Sequence, residues 1–304
     1  MSTTVNSAHE LQGAELARTA PTRPFLWSVR REIWENRAIY LVPLVSAFVF
    51  LLTHLLHTLY IRYRVHGAWP TDPEKQHQLL GVPYDIAAAL IMGTAFIVGI
   101  FYSLDALYGE RRDRSILFWK SMPVSDLTTV LAKLTVPMAI LPLLSFVITL
   151  VTQWTMLLLS MALLLGSGLS VSTIWAQSSL FHDSLILLWH IVTVHELWYA
   201  PFYGWLLFIS AWAPRAPFVW AFLPPFVVFG VEKLAFNSMH FLHLLENRLM
   251  GPSTPAAPGS NVMDIMASLG PLDFFTLPGL WIGFGIAAIF LAAAVRLRRS
   301  RGPI

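Results

Sequence analysis

The sequence predicts an all-α membrane protein with six transmembrane helices and both ends of the chain in the cytoplasm. Three observations predict it. Hydrophobic residues make up 56% of the 304 and charged residues only 12%, about half the charged share of a soluble domain, and the mean hydropathy is +0.62. Apolar runs of membrane-crossing length alternate with short polar segments. Of the 20 Lys and Arg residues, 15 fall on one side of the bilayer when the spans are threaded, which orients that side inward.

Residues 1–24 read as a disordered cytoplasmic tail, polar and without the apolar core of a signal peptide. From Phe25 to Arg37 the pattern is helical. Phe25, Val29 and Ile33 share a face with Leu26 and Trp34 beside it, while Arg30, Arg31, Glu32, Glu35 and Arg37 are polar. This is the pattern of an amphipathic interfacial helix lying on the membrane surface.

The first span is placed at 38–61, with Pro43 tolerated in its first turns. A wet loop follows, then a second span at 84–107. The charged segment that comes next carries Glu110, Arg111, Arg112, Asp113, Arg114 and Lys120, a concentration of charge that cannot stay in hydrocarbon. The third apolar stretch, 127–165, is too long for one simple crossing. Pro137 and Pro142 kink it, and it reads as one long helix with its span at 127–160 that runs past the membrane surface. A hairpin near Thr152–Trp154 would give an odd number of spans and leave the arginine-rich tail outside.

A Ser- and Gly-rich external loop occupies 166–183. In 184–212 the first half, with Trp189, His190, His195 and Glu196, suits the outer interface; the second, 197–212, crosses inward. Ala213–Pro217 is a tight turn, the fifth span is 218–236, and 237–276 is external with a low-complexity piece at 251–260. The last span, 277–295, is followed by Arg296, Arg298, Arg299 and Arg301, so residues 25–304 form one transmembrane domain.

Cysteine is absent, which excludes disulfides, thiolate metal sites and cysteine nucleophiles. The basic residues cluster at span ends, a pattern for lipid and not for nucleic acid. His190 and His195 lack the H-E-x-x-H spacing of a zinc helix. His240 and His243 are i,i+3 neighbours, yet histidine and tryptophan also populate the outer membrane interface, where His54 and His57 are expected too. Glu196 and Lys233 are candidates for an ion pair near that outer side. In the charged loop, a solvated positive-inside segment explains the arginines but not Ile116, Leu117, Phe118 and Trp119 directly after them. Such an apolar cluster is expected to bury against the bilayer or a partner.

The chain resembles the membrane subunit, or permease, of ABC-2 type transporters. The resemblance rests on Glu110-Arg111, the small Ser115, Pro123-Val124-Ser125 and Lys133 after the second span. Arg31-Glu32 in the helix before the first span and the six-span order with a final external segment add to it. The resemblance implies that two permease copies or paralogues pair, and that each docks on a separate ATP-binding subunit. Residues 109–126 would be the coupling helix. Glu110, Arg111 and Arg114, with Phe118 and Pro123, would lie at or near the ATPase interface, flanked by the interfacial helix with Arg30, Arg31 and Glu32.

The chain has no G-x-x-x-x-G-K-[ST] loop to cradle phosphates. ATP and Mg are therefore expected on the partner and no cofactor in this chain, which is read as non-catalytic. The expected function is an exporter subunit in a bacterial inner membrane. Two rivals stay open at this point: a membrane-embedded histidine-dependent metalloenzyme, and a non-transporting sensor or scaffold subunit with the same fold.

Overall fold

A computed structural model describes residues 23–64, 72–164, 180–250 and 271–304. The expected disordered tail up to residue 22, part of the first wet loop (65–71), most of the Ser- and Gly-rich loop (165–179) and residues 251–270 lie outside the described residues.

The described residues are helical and contain no strand. In chain order the helices are α1 (Pro24–Glu35), α2 (Ala38–Arg64), α3 (Pro73–Leu80), α4 (Val82–Ala106), α5 (Tyr108–Arg112), α6 (Ile116–Ser121), α7 (Asp126–Thr135) and α8 (Leu141–Leu164). They continue with α9 (Leu180–His190), α10 (Ala200–Trp212), α11 (Pro217–Phe236), α12 (His240–Met250), α13 (Pro271–Thr276) and α14 (Pro278–Ser300). Two π-helical segments, Val136–Ile140 and Ile191–Trp198, interrupt the series.

Among the described residues, five helical stretches are long and apolar enough to cross a membrane: Ala38–Tyr63, Gln78–Arg112, Asp126–Leu163, Pro217–Phe236 and Pro278–Ser300. A sixth is added if Leu180–Trp198 and Ala200–Trp212, bent by 48°, form one broken span. This is the make-up of a multi-pass membrane protein.

The long third stretch is continuous from Asp126 to Leu163, and its prolines explain the π turn inside it. Pro137 and Pro142 have no N–H to give. The Leu141 N–H reaches back five residues to the Val136 carbonyl, the wider π register. The Pro137 carbonyl is thereby left without a helix donor from the residues four and five positions on. His195, on the other π segment, supplies one: its Nε2 lies 3.3 Å from that carbonyl and 3.1 Å from the Tyr203 hydroxyl.

α2, α4 and α8 pack as one three-helix group, α4 continues onto α10, and α10 lies against α14. The α10–α14 contact is close because Gly204 has no Cβ. One built there would meet the Ala287 Cα and carbonyl oxygen, each at 3.4 Å. α11 is peripheral: of its residues only Ala221 is buried. Ala216 and Asn237, at its two ends, adopt left-handed backbone with φ of 46° and 47°.

At the far end of the three-helix group His54 is buried, its Nε2 2.9 Å from the Ser160 hydroxyl. This corrects the expectation of an interfacial histidine, because the His54 face of α2 packs against α8. The candidate Glu196–Lys233 pair does not form. Glu232 instead caps α12, accepting hydrogen bonds from the Ser238 hydroxyl (2.7 Å) and the backbone N–H groups of His240 (2.8 Å) and Phe241 (2.9 Å).

Candidate functional site

The residues singled out after the second span meet at one end of the bundle, in two layers. The inner layer is a buried network of charge. Glu32 of α1 accepts from the Lys133 ammonium of α7 at 2.9 Å and from the Arg31 guanidinium at 2.6 Å. The Tyr102 hydroxyl of α4 donates to its other oxygen at 2.8 Å. Lys133 also lies 3.1 Å from Glu110 of α5, whose second oxygen accepts from Arg298 of α14 at 3.1 Å. Arg298 also pairs with Asp126 of α7. Glu32, Lys133, Glu110 and Arg298 are all buried, so each charge depends on its partners to offset lost hydration.

Arg111 is buried as well, and its target is backbone. Its Nη1 donates to the carbonyls of Ala211 (2.5 Å) and Ala213 (3.3 Å) at the end of α10. Ser210 of α10 in turn accepts from the N–H groups of Leu107 and Tyr108, both at 3.0 Å. The start of the charged segment is therefore fastened to α10 from both sides. The chain after α14 straps the same place. Lys120 donates to the carbonyls of Arg299 (3.4 Å) and Arg301 (3.1 Å), Arg301 to the Trp212 carbonyl (2.5 Å), and the Ile304 N–H to the Arg111 carbonyl (3.2 Å).

The outer layer faces away from the bundle. Arg114, in left-handed backbone at φ 60°, turns the chain outward. Beyond it Leu117 and Phe118 are each 60% exposed, and Met122 and Pro123 are exposed too. Trp119 points the other way, its ring under the Arg31 guanidinium at 3.7 Å.

The predicted site residues thus divide. Arg114, Phe118 and Pro123 are on the outer surface, whereas Glu110 and Arg111 face inward and bind the protein itself. α1 divides in the same way. Glu32 is buried beside Val29 and Ile33, Arg31 is half-buried, and Arg30 lies outside, 4.4 Å from the Trp34 ring and 5.5 Å from the Trp27 ring. Asp105 is exposed at the end of α4, 3.4 Å from Arg112. Sequence reasoning missed the joining of Tyr102, Lys133, Asp126 and Arg298 to Glu32 and Glu110. One signal pointed there: Glu32 interrupts the apolar stripe of α1 between Val29 and Ile33.

Burial drives the Glu32 carboxyl up, but the Lys133 ammonium and the Arg31 guanidinium outweigh it and hold the group below its ordinary value of 4.5. A carboxylate depressed in the folded state adds stability that is complete above its unfolded value and is lost as pH falls through the folded one. Thermal stability of the detergent-solubilised protein should therefore show no Glu32-dependent change above about pH 4.5 and a decline below it. In Glu32→Gln the acid decline should be shallower; an unaltered acid limb in melting curves taken across that range would contradict the assignment.

Among the described residues no three His, Asp or Glu side chains converge as a metal-ligand set. His240 lies 3.4 Å from Glu232, and His243 lies 3.4 Å from Glu246. Compared with family models, with characterised proteins and with solved structures, the chain matches none.

Proposed function

We propose that the chain is the permease subunit of an ABC-2 type exporter, a six-span protein of a bacterial inner membrane with both ends in the cytoplasm. ATP hydrolysis takes place in a separate subunit docked on the outer layer of the charged end, and a second permease copy or paralogue completes the transporter. One observation carries the reading. The exposed apolar segment around Leu117 and Phe118 stands directly on a buried lattice of ion pairs that joins α1, α5, α7 and α14.

An exposed apolar cluster beside a charged rim suits a protein partner. The lattice beneath lets a push on α6 reach several spans together, as rigid-body switching requires. The broken fourth segment counts as one span in this reading, which gives the even number that the Lys and Arg distribution asks for.

The test is co-purification from native membranes, in which the tagged chain should capture an ATP-binding subunit. Phe118→Asp places a charge in the centre of the docking surface and should abolish both capture of the ATPase and ATP-driven substrate movement in proteoliposomes, with normal membrane insertion. Phe118 makes the cleaner probe, because reversing Arg111 would also break the carbonyl contacts that fasten α5. Undiminished capture by Phe118→Asp, or ATP hydrolysis by the purified chain alone, would overturn the proposal.

A further inference from the structure

Hydroxyl groups inside a helix bundle ordinarily satisfy themselves on the carbonyl one turn back. Thr152 of α8 does this, donating at 2.7 Å to the carbonyl of Ile148. Ser145 and Thr149, on the same helix, do not. Both are fully buried, and neither hydroxyl has a hydrogen-bond partner. The facing helix repeats the pattern, with the Ser46 hydroxyl of α2 buried and unpartnered. Further along the same buried face of α8 lies Ser160, bonded to His54. From Ser145 to Ser160 this polar row runs about 22 Å along the helix, most of the roughly 30 Å hydrocarbon core.

Leaving such groups dry inside a bundle is unfavourable, and native proteins resolve it with ordered water. We infer that the α2–α4–α8 interface encloses a hydrated seam, in which water bridges Ser46, Ser145 and Thr149 and leads toward His54. The seam lies within a single copy of the chain and needs no second copy to form. It rests on the reading that these helices cross the membrane, but not on the identity of any partner or cargo.

Radiolytic footprinting of the full chain in lipid nanodiscs tests this, because hydroxyl radicals made from bound water oxidise the side chains beside it. Met156 is the reporter. It is completely buried on α8, one turn from both Thr152 and Ser160. The expected result is rapid oxidation of Met156 in the wild type, slowed several-fold in Thr149→Val, with a melting temperature no higher than the wild type's. Protection of Met156 in the wild type would overturn the seam alone. So would a higher melting temperature in Thr149→Val with unchanged oxidation, since that is how a dry, unpartnered hydroxyl behaves when replaced by a methyl group. Phe48 and Phe101 face outward on α2 and α4 and should stay protected by lipid. Their rapid labelling would overturn the membrane-spanning reading, and this proposal with it.

Discussion

Replacing Lys133 with methionine should eliminate most folded protein. The ammonium stands between two buried carboxylates, 2.9 Å from Glu32 and 3.1 Å from Glu110. Methionine keeps an unbranched stem one atom shorter and removes the charge, which leaves the carboxylates facing one another with less than their due compensation. Breaking a buried pair from one side costs about 3–5 kcal/mol, a large part of the margin by which a typical domain is folded. The second change that isolates the cause is Glu32→Gln in the same chain. It removes one negative charge to match the lost positive one, while Glu110 keeps Arg298. Size-exclusion profiles in detergent should show aggregation for Lys133→Met and substantial recovery for the double variant. A monodisperse Lys133→Met protein that melts with the wild type would show that the cluster is not holding the charged end together.

Gly204→Leu should do comparable damage by a different route. α10 and α14 approach so closely that a Cβ at position 204 would already touch the backbone of Ala287 and the Cβ of Phe290, at 3.4–3.5 Å. Alanine fits in ordinary contact, as small residues do where membrane helices pack tightly. The further carbons of leucine have nowhere to go without forcing the helices apart. Overpacking of this kind costs about 1–3 kcal/mol, and more where backbone must move. Melting curves should place Gly204→Ala near the wild type and Gly204→Leu well below it; equal values for both would mean that the helices are not in contact there.

The apolar helices were legible because a run of Leu, Val, Ile and Phe with few charges states its solvent directly. The stretch from Asp126 to Leu163 was legible as one helix for the same reason, though its π turn was not. Prolines show in a sequence where donors are missing, but the register that the backbone then takes depends on a neighbour, here His195. The charged end was half legible. Arg114, Phe118 and Pro123 are exposed, which their place in a short charged segment between apolar runs already suggested. Lys133 and Arg298 looked like members of a basic flank because their carboxylate partners lie 101 and 188 residues away in sequence. No local pattern encodes that pairing. His54 misled for a related reason, since its burial comes from Ser160, which another helix presents.

The loose attachment of α11 carries a consequence for the surrounding lipid. Neighbouring side chains hold α11 only near its start, where Trp205 donates to the Ala221 carbonyl at 3.1 Å and Phe101 stacks on Phe218, so the rest of its inclination follows the thickness of the film around it. At 20 residues, α11 is about 30 Å long and matches an average hydrocarbon layer when upright. A thicker or thinner layer would lean or sink this helix before disturbing any other, pivoting at the strained corners Ala216 and Asn237. The composition of the host bilayer thus has one specific element through which to act on the whole molecule.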